Sequence, residues 1–331
     1  MSRPLEVLIL IALPASGKSE IRRYLDSLPP ETLRDEFHLG PAIQLDDFPY
    51  VHFLRRIDES LEAAGRPRIF FGSPTKSFRD PRDWGTLIEL LNEDFASLGN
   101  HTLPRPPSAA YYLFDRLDAA RQRMGLHAEL VRLNTRLRAD LAMAVEPDAD
   151  RIVKELRRAA AIPLEGRTVI IEIARGGAEG ARMPLSPPHG YGAALARFSE
   201  EILRRAAVLY VWITPEESRR RNRERLDPGD PETVLHHGIP DEVMRQEYGS
   251  DDVDWLLSIS ETPDRIRIPS REGTFSVPLV RFDNRADRTS FLREDPSTWS
   301  ENDLERLHVP LRTAFERLAD LVRPREESRR P

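Results

Sequence analysis

The first 30 residues contain the feature that most constrains the fold: a strand-length apolar run, a tight loop and an amphipathic helix follow one another without interruption. Residues 5–11 read Leu-Glu-Val-Leu-Ile-Leu-Ile, which has the length and composition of a buried strand. Apolar residues then recur at helical spacing from Ile21 until Pro29-Pro30 ends the pattern. Gly-Lys-Ser at 17–19 stands where the loop becomes the helix. A buried strand joined to a helix in this way is typical of α/β proteins.

The loop itself predicts a phosphate-binding site. It reads Ala-Leu-Pro-Ala-Ser-Gly-Lys-Ser and matches the Walker A pattern in all but its first position. Backbone N–H groups of such a loop converge on a phosphate, the lysine reaches the β- and γ-phosphates, and the final hydroxyl contacts Mg²⁺. Lysine is rare in this arginine-rich chain, so its presence at position 18 indicates a need for an ammonium group. The predicted nucleotide-binding residues are Ala12, Leu13, Pro14, Ala15, Ser16, Gly17, Lys18 and Ser19.

Composition excludes several classes of protein. The chain has 331 residues, of which 40% are hydrophobic, so a core with an insertion, or about two domains, is expected. The absence of cysteine excludes disulfides, zinc–thiolate sites and cysteine nucleophiles. A net charge of −6 argues against binding to nucleic acid or to an anionic membrane. The apolar run at residues 5–12 is too short to span a bilayer and lacks a signal-peptide cleavage site, so we expect a cytoplasmic protein.

Four further apolar runs predict strands. Each run is followed by polar or glycine-containing residues, and in parallel sheets ligands bind at the carboxyl ends of the strands. Strands that alternate with helical segments predict a parallel sheet with helices on both faces. We therefore expect an α/β three-layer sandwich with a five-stranded, mostly parallel sheet, its four further strands at 42–45, 168–173, 208–213 and 277–282.

A long interval between the second and third strands predicts a mainly helical insertion. Apolar residues at helical spacing indicate helices over 84–98, 126–145 and 152–156. The predicted organisation is a nucleotide-binding core at 1–49 and 166–331, with the insertion at 50–165 as the acceptor-binding region. Within the core we expect a lid at about 215–275 and a frayed tail at 324–331.

Three motifs together resemble the P-loop small-molecule kinases, the superfamily of adenylate, uridine and related kinases. They are the loop at 12–19, Asp-Asp-Phe at 46–48 and an arginine-rich helix after the fourth strand. The resemblance covers residues 5–50 and 166–285 but not the insertion, so it implies a reaction class more than a substrate. It implies a P-loop NTPase fold, ATP and Mg²⁺ as cofactors, a small-molecule acceptor held after the second strand, and lid arginines that reach the transferred phosphate.

Three acidic residues at predicted strand ends are candidates for catalysis and metal binding. Asp46 or Asp47 would accept a proton from an acceptor hydroxyl or hold Mg²⁺ through water, and similarity to uridine-kinase-like enzymes favours Asp46 as the base. The alternative is a helix cap. Glu172 lies inside an apolar strand and would hold the metal with Ser19 and Asp46, or else pair with Arg175 or another arginine.

The helix after the fourth strand predicts a phosphate clamp. Thr214-Pro-Glu-Glu is a helix start with a capping box. Arg219 and Arg223 share one face of the helix that follows and are the candidate clamp on the transferred phosphate, with Arg225 next. A solvated basic face is the alternative.

The remaining candidates are contacts to substrate and adenine. Arg55 and Arg56 follow the aspartate pair and would bind an anionic acceptor, and Arg175 is a third candidate substrate contact. Asp283 and Asn284 follow the last strand, where related kinases touch the adenine.

Two functions are consistent with these patterns. The first is transfer of the γ-phosphate of ATP to a small hydroxyl- or phosphate-bearing metabolite. The second is a nucleotide-dependent regulatory or binding protein with a macromolecular partner. The sequence indicates neither the acceptor nor the oligomeric state.

Overall fold

The sheet of this α/β protein has one strand more than the sequence predicts. A computed structural model describes residues 4–99, 103, 105–224, 238–270 and 273–323. These residues form a six-stranded sheet. Its strands are β1 (Val7–Ile11), β2 (Ala42–Asp46), β3 (Thr168–Ile173), β4 (Ala206–Trp212), β5 (Arg265–Ser270) and β6 (Gly273–Asp283).

The order of the strands brings the ends of β1, β2 and β3 together. The order is β2-β3-β1-β4-β6-β5; the first five strands pair in parallel, and β5 is antiparallel to β6. Asp46 at the end of β2 is in register with Glu172 of β3, and Ile11 at the end of β1 is in register with Ile173. The predicted α/β class and mostly parallel sheet are confirmed.

The additional strand forms a hairpin with the last parallel strand. In β5 the buried Ile266 and Ile268 alternate with exposed residues, as expected for a strand with one covered face. The pairing extends β6 back to Gly273, ahead of the predicted start at 277. Both strands overlap the span 215–275 that was predicted as a lid, so residues 265–270 and 273–275 belong to the sheet instead.

Helices cover both faces of the sheet. In chain order, the helices in the described part of the chain are α1 (Lys18–Ser27), α2 (Pro30–Glu36), α3 (Phe48–Ala63), α4 (Asp83–Ser97), α5 (Ala109–Arg123), α6 (Thr135–Ala160), α7 (Gly190–Leu195), α8 (Glu200–Arg205), α9 (Pro215–Glu224), α10 (Asp241–Glu247), α11 (Val253–Ser258) and α12 (Glu301–Val322). Short 3₁₀ helices occupy Ser290–Arg293 and Pro296–Thr298. None of these helices combines the length and the apolar character needed to cross a membrane.

Each face of the sheet has its own core. Ile21 of α1 and Phe315 of α12 are fully buried with Leu8 and Leu209 on one face. On the other face, Ile88 of α4 is buried together with residues of α7, α8 and α11 and the opposite side chains of the strands. The alternation of side chains along each central strand thus supplies both cores.

The helices between β2 and β3 differ from the prediction in two ways. The region contains α5, which was not predicted, and a single helix α6 where two were predicted over 126–145 and 152–156. Residues 126–134 are not helical because the Asp118 carboxylate accepts hydrogen bonds from the N–H groups of Leu130 (3.1 Å) and Val131 (2.7 Å). The Asn134 side chain then accepts from the N–H of Leu137 at 2.9 Å and begins α6. The helix predicted at 84–98 is confirmed as α4.

Candidate functional site

The loop between β1 and α1 has a backbone that only particular residues can adopt. Ala15 and Gly17 have φ angles of 57° and 101°. A Cβ atom on Gly17 would lie 2.4 Å from Thr289 Oγ1 and 2.7 Å from Asn284 Nδ2. Glycine is therefore required at 17 both for the left-handed backbone and for the close approach of these two side chains.

The same loop contains backbone donors that have no hydrogen-bond partner among the described residues. The first N–H groups of a helix have no partner within the helix, and among the described residues none accepts a hydrogen bond from the N–H groups of residues 15–19. The Ser16 hydroxyl is buried and makes no hydrogen bond there either. Alternating left-handed residues before a helix N-terminus form an anion-binding concavity. The geometry fits an anion such as phosphate.

Lys18 lies at the edge of this concavity among carboxylates. Its ammonium donates a hydrogen bond to the carbonyl oxygen of Ile173 at 2.8 Å. Burial lowers the pKa of Lys18, and the charges of Glu172, Asp46 and Asp47 oppose that shift. A cation in this position holds the ends of three neighbouring strands together electrostatically and remains close to the open N–H groups.

The two adjacent aspartates have different surroundings. Asp46 accepts a hydrogen bond from the N–H of Phe48 at 2.9 Å, and burial, followed by the charges of Glu172 and Asp47, raises its pKa to about 7. Asp47 is buried and forms an ion pair with Arg175, with Oδ2 and Nη1 2.6 Å apart. Asp46 therefore has the proton affinity expected of a base near neutral pH, whereas Asp47 is committed to an ion pair.

Arg175, a predicted substrate contact, is part of the protein interior. It is 3% exposed, donates to the carbonyl oxygens of Ala174 (2.7 Å) and Trp84 (3.3 Å), and its guanidinium lies 4.7 Å from the centre of the Trp84 ring. These contacts and the ion pair with Asp47 hold the end of β3 against α4. In this structure Arg175 is positioned to support Asp47 rather than to project into open space.

Glu172 pairs with an arginine, which is the alternative to metal binding that the sequence predicts. Its Oε1 atom forms an ion pair with Arg22 of α1 and accepts a hydrogen bond from Gln44 at 3.2 Å. The partner is Arg22 rather than Arg175. Arg22 lies one helical turn after Lys18, so both basic residues face the ends of β2 and β3.

The candidate metal ligands lie near one another without forming a complete metal site of their own. Glu172 and Asp46 are register neighbours, and Ser19 lies in the first turn of α1. The described residues contain no group of three or more His, Asp or Glu side chains arranged to hold a metal ion. Mg²⁺ commonly needs only one or two carboxylates when phosphate oxygens complete its coordination.

Helix α9 is attached directly to the loop. The Ser218 hydroxyl donates a hydrogen bond to the carbonyl oxygen of Pro14 at 2.7 Å. The next residue, Arg219, is buried and pairs with Glu179 at 3.1 Å, whereas Arg223 is exposed and lies 3.4 Å from Asp241. The two predicted clamp residues thus differ in environment, with Arg219 the closer in sequence to the Ser218 contact. Arg225 lies outside the described residues.

Arg55 and Arg56 make contacts within the helical region. The Arg55 guanidinium lies 4.0 Å from the centre of the Phe71 ring and donates to the carbonyl oxygen of Pro74 at 3.0 Å. Arg56 pairs with Glu59 at 2.7 Å. The structure does not bring either guanidinium into contact with the loop.

Asn284 supports the loop. Its Nδ2 donates to the carbonyl oxygen of Ser16 (2.7 Å) and to Thr289 Oγ1 (2.8 Å), and its side chain is fully buried. Asp283 pairs with Arg285 at 2.8 Å. The contact of Asn284 with the loop was not predicted, because it joins residues 268 positions apart.

Four residues that shape this region are absent from the predicted site: Arg22, Gln44, Ser218 and Thr289. Arg22 had a signal, since it lies at the i+4 position from Lys18 on a predicted helix. Ser218 also lies on a predicted helix, but nothing in the sequence indicates which side chain contacts the loop. Gln44 and Thr289 had no signal. Comparison with known protein families, curated proteins and solved structures found no match to this chain.

Proposed function

We propose that this protein is an ATP-dependent phosphotransferase that moves the γ-phosphate of ATP to a hydroxyl group of a small molecule. The proposal depends mainly on the N–H groups of residues 15–19, which have no hydrogen-bond partner among the described residues. The Lys18 ammonium lies beside them, and the Asp46 carboxyl, whose pKa is raised, lies at the end of β2. A phosphate cradle, a cation and a base of raised pKa are the groups that phosphoryl transfer requires.

The position of the loop in the sheet supports a P-loop nucleotide-binding fold. β1 is an interior strand between β3 and β4, and it delivers the loop to the carboxyl edge of five parallel strands. Ligands of open α/β sheets bind at that edge. The buried strand, the left-handed Gly17 and the Lys-Ser start of α1 occur in the order that the Walker A pattern requires.

The chain's own donors fit a nucleotide and its metal. The unbonded N–H groups and the buried Ser16 hydroxyl would hold phosphate oxygens. Ser19 and Glu172 would hold Mg²⁺, which when bound neutralises charge on the phosphates, and Asp46 is then free to accept a proton. Lys18 can turn from the Ile173 carbonyl toward a phosphate oxygen because it has a flexible side chain and a compact charge.

The proposed reaction is a direct transfer of the phosphoryl group from ATP to the acceptor hydroxyl. The acceptor hydroxyl gives its proton to the Asp46 carboxylate while its oxygen forms a bond to the γ-phosphorus. The bond from the γ-phosphorus to the bridging oxygen breaks, and its electron pair leaves with ADP. The proton then passes to solvent, so that one ATP and one alcohol give one ADP, one phosphate monoester and one proton.

Lys18→Ala tests the proposal. We expect acceptor-dependent ADP formation to fall by roughly 10²–10³-fold or more, because the main cation for the developing charge is removed. Lys18→Arg should also be impaired, since a planar guanidinium does not replace the compact ammonium. The measurement is ADP release with ATP, Mg²⁺ and a panel of metabolites.

Lys76→Ala is the matched control, because Lys76 is exposed and lies outside the loop. It should turn over at the wild-type rate. Normal turnover of Lys18→Ala would refute the proposed site. ADP release that no acceptor changes, but that a protein or RNA partner alters, would instead favour a nucleotide-dependent regulatory protein.

A further inference from the structure

A cavity of about 600 Å³ opens beside the edge strand β2. It lies between β2, the first turns of α3 and the last turns of α6, and its walls include Ile43, Leu45, Phe53, Ile152 and Leu156. This volume is within the range of pockets that bind small organic molecules, and such pockets have mostly apolar walls with a few polar groups. The cavity therefore has the size and lining of a site for a small molecule.

One end of the cavity is the candidate base. Asp46 and Gln44 line it, and Gln44 also contacts Glu172 at 3.2 Å. A molecule in the cavity would thus place a group beside Asp46, the last residue of β2.

Most of the charged groups in the cavity wall are carboxylates, and the two arginines of the wall form ion pairs with carboxylates. Asp94 is held by Arg116 at 2.6 Å and by the hydroxyl of Tyr50. Arg151 and Arg158 are on the rim, with side chains 73% exposed, and they pair with Asp148 and Glu155, respectively. Within the described lining, every arginine has a carboxylate partner. His52 also lines the cavity, 3.9 Å from Asp148, and burial lowers its pKa, which favours the neutral ring. Among the described lining residues, a negatively charged ligand would therefore meet buried Asp94 and Asp148, and its cations would be the two rim arginines already paired with carboxylates.

Arg55 and Arg56, which were predicted to bind an anionic acceptor, also contact other residues. Arg55 packs on Phe71, and Arg56 pairs with Glu59 and with Asp148. Neither belongs to the cavity lining. The prediction of a phosphate-bearing acceptor held by these residues is therefore not supported by the charges around this cavity.

We propose that the cavity beside β2 binds the phosphoryl acceptor, and that the acceptor is an alcohol with an apolar body and no anionic group. The proposal rests on the proposed phosphotransferase function. It deepens that function by selecting, among hydroxyl- and phosphate-bearing acceptors, the uncharged or cationic alcohols. Transfer is the balanced step given above, in which the alcohol oxygen bonds the γ-phosphorus, its proton goes to Asp46, and ADP leaves.

Binding without ATP tests the inference separately from catalysis. The probes are matched pairs that differ by one phosphate: nucleosides with their 5′-monophosphates, and amino alcohols with their phosphate esters. Saturation-transfer NMR identifies binders, and titration calorimetry measures their affinity. We expect binders among the unphosphorylated members, each at least tenfold tighter than its phosphorylated counterpart.

Ala159→Phe tests the location. Ala159 lines the cavity, and a phenyl group there would fill part of it, so affinity for the binders should fall at least tenfold. Ala144→Phe is the matched control on the same helix, because Ala144 is exposed and outside the cavity; it should bind as the wild type does. If Ala159→Phe does not fold, as judged by its thermal unfolding, the smaller Ala159→Leu serves in its place.

The outcomes separate the two proposals. Pocket-dependent binding of unphosphorylated alcohols without phosphoryl transfer would support the cavity as a site for uncharged alcohols, but it would refute the phosphotransferase function and with it the role of these alcohols as acceptors. Tighter binding of the phosphate esters overturns the inference. Equal affinity in the wild type and in the Ala159 variant overturns it as well, and so does a panel in which no unphosphorylated member binds.

Discussion

At the scale of single residues, the adjacent carboxyl groups of Asp46 and Asp47 have different partners and different acid–base properties. Asp46 ends β2 in the company of Glu172 and Lys18, and its pKa is raised to about 7. Asp47 points to Arg175 and is neutralised by it. Successive side chains at a strand end point in different directions, so adjacent carboxylates can have unlike partners.

Substitution of each aspartate by asparagine should therefore have different effects. In Asp46→Asn we expect turnover to fall by roughly 10²–10⁴-fold with little change in ATP affinity, because the proton acceptor is removed and the shape is kept. Stability should not decrease, since burial and two nearby acids disfavour the charge that is removed. Turnover, nucleotide affinity and thermal unfolding are the measurements.

The Asp47→Asn variant is the matched comparison. It leaves the buried Arg175 without its carboxylate, so the free energy of unfolding should fall by about 3–5 kcal/mol. If Asp46→Asn turned over at the wild-type rate, Asp46 would not be the proton acceptor. The base would then be Asp47 or a group outside the end of β2.

The sequence predicted the residues of the loop far better than it predicted their partners. Gly17 and Lys18 belong to a local pattern whose spacing is set by the backbone, so a single sequence reveals it. Asn284, which bonds to the loop, is brought there by the pairing of β4 and β6 and by the turn after β6. The pairing of Asp47 with Arg175 likewise depends on tertiary packing. An arginine partner for Glu172 was expected, but only the packing of α1 against β3 selects Arg22.

At the scale of single elements, α9 begins as predicted, but its capping glutamate has another role. The Thr214 hydroxyl accepts from the N–H of Glu217 at 3.2 Å, as in a capping box. The Glu217 carboxylate binds Arg220 and Arg221 instead of reaching back, with Arg221 Nε 2.6 Å away. Arg221 is 1% exposed and also donates to the carbonyl oxygen of Asn284 at 2.7 Å. Glu217 thus fixes the arginine that connects α9 to the end of β6.

Glu217→Gln should destabilise the protein in a pH-dependent way. Hydrogen bonds from Arg220, then from Arg221, lower the pKa of Glu217 to about 2. A carboxylate whose pKa is lower in the folded than in the unfolded protein stabilises the fold at pH values above its unfolded pKa, which is near 4.5 for Glu217. This stabilisation is lost as the pH falls toward 2. We expect a loss of roughly 2–4 kcal/mol at pH 7 and a smaller loss at pH 3, measured by urea denaturation.

A second glutamate on the same helix provides the control. Glu224 pairs with Arg220, and its side chain is 54% exposed. Glu224→Gln should change stability by less than about 0.5 kcal/mol at either pH. An equal loss in the two variants would contradict the role given to the buried Arg221.

Two elements escaped prediction although their signals are present in the sequence. Ile266 and Ile268 alternate with polar residues, and the pattern is short enough to be taken for a loop. In α5 the buried Ala110, Leu113 and Leu117 follow helical spacing, and Ser108 caps the helix. The strand β5 falls within the predicted lid and α5 within the predicted insertion, and short apolar patterns of this kind give weak signals.

At the scale of the whole molecule, α4 joins the helical region to the sheet. Its Ile88, Leu91 and Phe95 belong to the core on one face of the sheet. Leu87 and Leu90 of the same helix belong to the core formed mainly by α3, α5 and α6. The residues predicted as an insertion and those predicted as the nucleotide-binding core therefore share a helix that is buried on two sides.

The shared helix predicts that the two regions unfold together. Ile88 is fully buried against the sheet, so Ile88→Ala should cost about 2–5 kcal/mol of stability. If α4 couples the regions, native-state hydrogen exchange should show the same loss of protection in the slowest amides of β1 and β3 and in those of α5 and α6. Val131→Ala, at a position 58% exposed, is the control and should change protection by less than about 0.5 kcal/mol. A loss confined to the sheet amides would mean that the helical region is a separate folding unit, as the predicted boundaries at 50 and 165 imply.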